Sequence, residues 1–299
     1  MSSNLNGSGS RRRSLPANAT DCHHHVYDPR WPLDPRATLH PSGATIAEYR
    51  ALQQRLGLDR HVIVQPSTYG TDNTGLVEAL TTFGPEARGI AVVDASVSDE
   101  ELSRLDRAGV CGVRFNLRLP AGAGLEAMTS LAPRVAELGW HVQLNVSGDQ
   151  LSELRPLLQS LPAPIVLDHL GHIASPRHPG FAIIAGLIAS GRAWVKLSGP
   201  YIGSAVGPPT YADRGEVARA LVELAPERLV WGSDWPHPSE TEKPDDAGLL
   251  DLLAVWAPDE AVRRRILVTN PEALYGFKGK AEQHAATRLS STHVGGTTP

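Results

Sequence analysis

Four side chains in this sequence could share one reaction. His23 and His25 stand two apart in Asp21-Cys22-His23-His24-His25, His169 follows Asp168 in Asp168-His169-Leu170-Gly171, and Asp234 lies within Gly232-Ser233-Asp234-Trp235-Pro236-His237. Alternate residues of an extended strand share a face, so His23 and His25 point one way and His24 the other. Two imidazoles converging on one point can bind a metal or polarise a carbonyl. Taken alone, the same pair also fits a polar strand whose histidines are satisfied by neighbours. An aspartate ahead of Trp-Pro is expected in a rigid, poorly hydrated setting that raises its carboxyl toward a useful base. The competing role for Asp234 is an N-cap or turn aspartate. His169 ends the apolar run Pro164-Ile165-Val166-Leu167 and gains weight only by sharing a face with the other two. His172 reads as a loop or packing residue.

These residues need a frame that brings them together. Short β-branched runs predict strands at Thr20–Tyr27, His61–Gln65, Arg88–Val93, Cys111–Phe115, His141–Leu144, Ile165–Asp168, Ala193–Leu197 and Arg228–Trp231. Between them, apolar residues three and four apart predict helices: Ile46, Tyr49, Leu52 and Leu56; Leu76, Val77, Leu80 and Phe83; Leu102 with Leu105; Leu131 with Val135 and Leu138; Leu154 with Leu157 and Leu158; Ile184 with Leu187 and Ile188; Val217 with Leu221 and Leu224. Ser98-x-x-Glu101 fits a capping box, and Gly57, Gly84, Gly109, Gly139 and Gly191 stand where helices should stop. About eight β/α units in series predict an α/β fold, a single-domain TIM (β/α)8 barrel, with an open doubly wound sheet as the alternative. Polar residues follow the strands: Gln65, Asp94, Arg114 with Asn116, Asn145, Asp168-His169, Lys196 with Ser198, and Ser233-Asp234. A barrel gathers these ends on one face. Loop polarity alone explains Ser, Asn and Gly there, but explains His, Arg and Asp poorly. Cys22 and His24 are expected between barrel and helices.

The chain has 299 residues and a net charge of −4. Residues 1–19, with Arg11-Arg12-Arg13, and residues 279–299 read as polar, disordered tails around a domain at 20–278. The arginine run reads as a solvated tail; with no basic excess elsewhere, nucleic acid is not an expected partner. No long apolar run follows it, so neither a secretory signal nor a membrane span is expected. Two distant cysteines, Cys22 and Cys111, suit a reducing, cytoplasmic setting. A homo-oligomer is compatible with the sequence.

Several motifs in order carry a resemblance. Asp-x-His-x-His on the first strand, Asp-His-Leu-Gly late in the series and Gly-Ser-Asp-Trp-Pro-His on the last resemble the amidohydrolase superfamily. Val64-Gln65 with Gly70-x-Asp72-Asn73, Gly112-Val113-Arg114-Phe115-Asn116 and Val195-Lys196-Leu197-Ser198-Gly199 resemble its branch of pyrone-dicarboxylate lactonases, galactarolactone isomerases and sugar lactonases, over about residues 20–278. The resemblance implies a hydrolase that opens a small carboxylated lactone, with His23, His25, His169 and Asp234 as its catalytic core. It implies no required metal; a single Zn²⁺, if bound, would use the same four residues. A binuclear site is not expected, because the only strand-end lysine is Lys196. Asp234 would take a proton from water while the three histidines donate hydrogen bonds to the oxyanion. Lactone isomerisation and a non-catalytic sugar-acid-binding barrel are the alternatives. Arg114 would clamp a substrate carboxylate, its rival role being a salt bridge in the barrel floor. Tyr69, Asn73, Asn116 and Tyr201 would meet the rest of the substrate. Pro120 and Tyr201 stand where the family has further arginines, and Arg118 is in another register, so a substrate with fewer carboxylates is expected.

Overall fold

The computed structural model describes residues 15–39, 41–119, 121 and 123–277. Eight strands form one parallel sheet in sequence order: β1 (Thr20–His24), β2 (Arg60–Val64), β3 (Ala87–Ala91), β4 (Val110–Asn116), β5 (His141–Asn145), β6 (Ile165–Leu167), β7 (Ala193–Leu197) and β8 (Leu229–Trp231). The seam between β8 and β1 closes just beyond the regular strands. Asp234 N–H donates to His23 O at 2.7 Å, and His25 N–H to Trp235 O at 2.8 Å. The sheet is therefore a barrel rather than an open, doubly wound layer.

A helix follows each strand: α1 (Ile46–Leu56), α2 (Thr74–Phe83), α3 (Asp99–Arg107), α4 (Leu125–Glu137), α5 (Gln150–Ser160), α6 (Pro179–Ala189), α7 (Ala212–Leu224) and α8 (Asp246–Trp256). Each of the five glycines expected to end a helix has positive φ, the left-handed conformation that glycine adopts without a Cβ clash. Ser98 Oγ accepts from Glu101 N–H at the start of α3. The periodicity missed α8: its run Leu249-Leu250-Asp251-Leu252-Leu253-Ala254-Val255-Trp256 is apolar around most of its circumference, so no face stands out.

The apolar core lies mainly between strands and helices. A smaller cluster joins Cys22, Val62, Ile90, Val166, Trp194 and Val230, with Tyr275 and Phe277 packed on it. Cys22 thus belongs with the strand residues of this second cluster, not in the strand–helix layer expected for it. His24 does face a helix, stacking on Tyr49 of α1 with ring centroids 3.4 Å apart. Ala19, assigned from sequence to the tail, is fully buried, and Asn18 N–H donates to Asp59 Oδ2. Residues 1–14 and 278–299, including Arg11–Arg13, lie outside the described residues, as does Pro120. Among the described residues, no helix is long and apolar enough to cross a membrane.

Candidate active site

The four residues singled out by type and spacing meet at one oxygen. His23 Nε2 and His25 Nε2 each lie 3.4 Å from Asp234 Oδ1, and His169 Nε2 lies 3.9 Å away. All four residues are buried. The His23 ring centroid lies 5.0 Å from that of His25 and 4.8 Å from that of His169. Gly232 permits the close approach of β8 to β1: a Cβ there would fall 2.6 Å from His23 Cβ. His169 and Asp234 both have φ in the left-handed region, at 51° and 62°. Such strain persists only where surrounding contacts over-determine it.

Those contacts can be named. Asp21 Oδ1 accepts from the backbone N–H of His23 and of Ser233, while Asp21 Oδ2 accepts from Ser233 Oγ and the Tyr49 hydroxyl. One carboxylate thereby fixes the residue before Asp234 against the strand bearing His23. The Asp234 side chain is held by Tyr201, whose hydroxyl donates to Oδ2 at 2.6 Å. His237 Nδ1 lies 2.9 Å from that hydroxyl, and His237 Nε2 lies 2.9 Å from Asp246 Oδ1. Sequence periodicity had no means of finding Asp21 as a staple or His237 as a support, because both roles depend on partners far along the chain.

The electrostatics differ from the expectation for Asp234. Burial alone would raise its carboxyl, but His169, His25 and His23 outweigh it and hold the group well below the usual carboxylate range. Asp234 is thus an ionised acceptor rather than a base with a raised pKa. Burial, reinforced by the Lys196 ammonium, pushes His23 well below the usual imidazole range, and burial also lowers His169. Lys196 is itself lowered to about 8, chiefly by burial. It donates to Cys22 O and to Gln143 Oε1.

Tautomers decide what this cluster can do. His25 Nδ1 lies 2.8 Å from Val64 O, which can only accept. Neutral His25 therefore presents a lone pair at Nε2. His23 Nδ1 lies 3.4 Å from Lys196 Nζ and 3.3 Å from Asp168 Oδ1. Donation from the ammonium leaves its hydrogen on Nε2; donation to Asp168 leaves Nε2 bare. His169 Nδ1 has the same choice at Ser198 Oγ, 3.0 Å away. In one pattern, two N–H groups and two acceptors surround a point. In the other, three bare nitrogens and a carboxylate oxygen converge, and this fits a single divalent cation. A tetrahedral site with spokes of about 2.1 Å has edges of about 3.4 Å, and His23 Nε2 is buried without a hydrogen-bond partner. His23, His25 and Asp234 form a cluster able to hold a metal, and so do His23, Asp168 and His169.

A cavity of about 210 Å³ opens over this centre, and His25, His169, Asp234 and Arg114 line it. Arg114 makes a salt bridge, Nε bonding Asp168 Oδ2 at 3.0 Å, but beside His23 rather than in the barrel floor, and the residue also lines the cavity. Asn116 lines the cavity as well. Tyr69, Asn73 and Tyr201, expected to meet substrate, have other partners and are not among the cavity-lining residues. The Tyr69 hydroxyl bonds backbone groups of Asp28. The Asn73 amide spans Val92 N–H and C=O. Tyr27, Ser67, Thr68, Arg118 and His172 line the cavity instead. Arg118 reaches it despite its different register, because the chain turns after Asn116 and carries the side chain back over the opening.

A family model described as amidohydrolase matches residues 20–277. The chain belongs to this amidohydrolase family and is an enzyme of the hydrolase class. It is 37% identical over 277 residues to 2-pyrone-4,6-dicarboxylate hydrolase of Comamonas testosteroni, covering 87% of this chain and 91% of that one. It is 35% identical over 271 residues to D-galactarolactone isomerase of Agrobacterium fabrum, covering 88% and 92%. An apo crystal structure from Agrobacterium tumefaciens superposes with a TM-score of 0.83 at 34% identity, over 89% of this chain and 98% of that one.

Proposed function

We propose that this enzyme hydrolyses a small carboxylated lactone, with Asp234 as the base. The observation that carries the reading is the meeting of three histidine Nε2 atoms at Asp234 Oδ1, beside a cavity lined by His25, His169, Asp234 and Arg114. The two relatives named for lactone chemistry support it.

Arg114 uses Nε on Asp168, leaving its outer nitrogens to meet a substrate carboxylate. That anchor places the lactone carbonyl against the histidines. Tyr201 occupies Asp234 Oδ2, so Oδ1 is the oxygen free to take a proton from water. His25, with Nδ1–H held by Val64, accepts the water's other hydrogen. The water oxygen bonds to the carbonyl carbon. His23 and His169, each carrying hydrogen on Nε2, donate to the oxyanion; His25 is not a donor in this scheme, which narrows the role foreseen for all three histidines. Collapse breaks the ring C–O bond, and Asp234 returns its proton to the leaving alkoxide. The product is a hydroxy acid, whose carboxyl proton passes to solvent near neutral pH.

This scheme requires no metal. With His23 and His169 in their other tautomers, His23, His25, His169 and Asp234 would hold one divalent cation, which when bound supplies Lewis acidity and acidifies a water molecule.

The test is a panel of carboxylated five- and six-membered lactones followed by pH indicator and NMR, with and without chelator. Acid release supports hydrolysis. A new lactone formed without acid supports isomerisation, in which a substrate hydroxyl replaces water; the galactarolactone relative favours that second reading. Full activity in Asp234→Asn would refute the mechanism. Turnover lost to chelator and regained with Zn²⁺ would replace the metal-free scheme.

A further inference from the structure

His23 stands between two carboxylates at almost the same distance. Its Nε2 lies 3.4 Å from Asp234 Oδ1, and its Nδ1 lies 3.3 Å from Asp168 Oδ1. A neutral imidazole carries one ring hydrogen, and either carboxylate would accept it. The pulls of the two anions nearly cancel, so a third group decides which nitrogen is protonated. That group is Lys196, which reaches the centre from β7 and is fully buried.

The hydrogens of Lys196 can be counted. An ammonium has three donors and no acceptor. One hydrogen goes to Cys22 O at 2.8 Å and one to Gln143 Oε1 at 2.7 Å. The third has two candidates, His23 Nδ1 at 3.4 Å and Asp168 Oδ1 at 3.8 Å. The longer contact is beyond hydrogen-bond range. Asp168 Oδ1 makes no hydrogen bond to His23 either, despite its 3.3 Å approach, so the ring nitrogen is not aimed at it. The other oxygen of Asp168 already takes Arg114 Nε, which draws charge away from His23. The ring thus turns Nδ1 to an ammonium rather than to a carboxylate, and a nitrogen facing N⁺–H can only accept.

We propose that Lys196 is a positioning residue that sets the tautomer of His23, donating to Nδ1 and holding the ring hydrogen on Nε2. That hydrogen points at the reaction centre, beside Asp234 Oδ1. The same bond disfavours the bare Nε2 that a cation requires. One lysine therefore tilts the centre toward a hydrogen-bond donor and away from a metal ligand. The catalytic consequence, a hydrogen ready for the oxyanion, rests on the lactone reading; the tautomer itself does not.

The test reads the tautomer directly. Chelator-treated protein with ¹⁵N-labelled histidine is studied at neutral pH by NMR, correlating each ring nitrogen with the carbon-bound ring hydrogens. The pattern differs between the two neutral tautomers, and the His23 signals are identified by their loss in His23→Gln. The wild type is expected to carry the hydrogen on Nε2; a hydrogen on Nδ1 would overturn the proposal. In Lys196→Met, which keeps an unbranched stem and removes the donors, the hydrogen should move to Nδ1, on the side of Asp168. A hydrogen still on Nε2 in that variant, folded by circular dichroism, would overturn the role of Lys196. Should Lys196→Met not fold, Asp168→Asn takes its place: the lysine remains, so the hydrogen should stay on Nε2, and its transfer to Nδ1 would count against the proposal. On the best lactone of the panel, Lys196→Met should lower kcat by about 100-fold or more with KM changed far less, as expected for a donor felt in the transition state. A raised KM at unchanged kcat would overturn that consequence. If no lactone in the panel is turned over, the lactone reading fails while the spectra still decide the tautomer.

Discussion

Replacing Tyr201 by Phe removes one oxygen and keeps the ring. The lost hydroxyl donates to Asp234 Oδ2 at 2.6 Å in a buried setting. A hydrogen bond to a charged acceptor contributes about 1.5–3 kcal/mol. That bond stabilises the ionised carboxylate, so its removal favours the protonated form and raises the Asp234 pKa. At about 1.4 kcal/mol per pH unit, the rise is about 1–2 units. The acid limb of kcat/KM reports the base in the free enzyme. In the wild type that limb should lie below the usual carboxylate range, because the histidines lower Asp234. In Tyr201→Phe it should move up by about 1–2 units. Near neutral pH the variant base is intrinsically stronger but freer to rotate, and the loss of aim should dominate, lowering kcat about tenfold. The assay is a pH–rate profile on the best lactone of the panel, with thermal unfolding as a control, since His237 Nδ1 also loses its partner. An acid limb at the same pH and a rate within twofold of the wild type would refute the assignment of Tyr201 as the support of the base.

Other outcomes follow from the same structure. Burial holds His61 and His141 each at about 3, against about 6.5 in the unfolded chain. The unfolded state therefore binds more protons below pH 6.5, and the contribution of these histidines to stability, complete above that value, is lost as pH falls toward 3. Their share should be on the order of 2–5 kcal/mol between pH 6.5 and 4.5, measurable as proton uptake on urea unfolding; uptake of no protons would sink it. Chelator-treated protein should bind one Zn²⁺ per chain, with His25→Ala weakening binding by more than about tenfold. Competition with a chromophoric chelator reads this, and a stoichiometry of two would contradict the mononuclear donor set. Gly232→Ala puts a methyl 2.6 Å from His23 Cβ and should lower both the unfolding midpoint and kcat, whereas a neutral result would mean that the seam is slack.

The barrel and its four central residues were legible because they depend on local rules. Strand parity places His23 and His25 together and His24 outside, and strand-end position places His169 and Asp234 on the same face. What escaped was partner choice. Tyr201, Tyr69 and Asn73 are the right types in the right loops, but a hydroxyl or amide serves a substrate only if no nearer group claims it. Here Asp234, Asp28 and Val92 claim them. Arg118 failed a register comparison because the path of the chain after a strand is not periodic. The direction of the Asp234 shift was misjudged because Trp-Pro announces burial, while the opposing histidines come from 65 and more residues earlier in the chain.

The staple between Asp21 and Ser233 joins residues 212 positions apart. His23 comes from the first strand, His25 from just after it and Asp234 from just after the last, so no part of the barrel short of the whole contains the proposed catalytic centre. At about 5–20 residues per second of synthesis, the first histidines wait roughly 10–40 seconds for their carboxylate. On the proposed mechanism every intermediate along the way is catalytically silent, so lactone turnover would count completed barrels rather than chains.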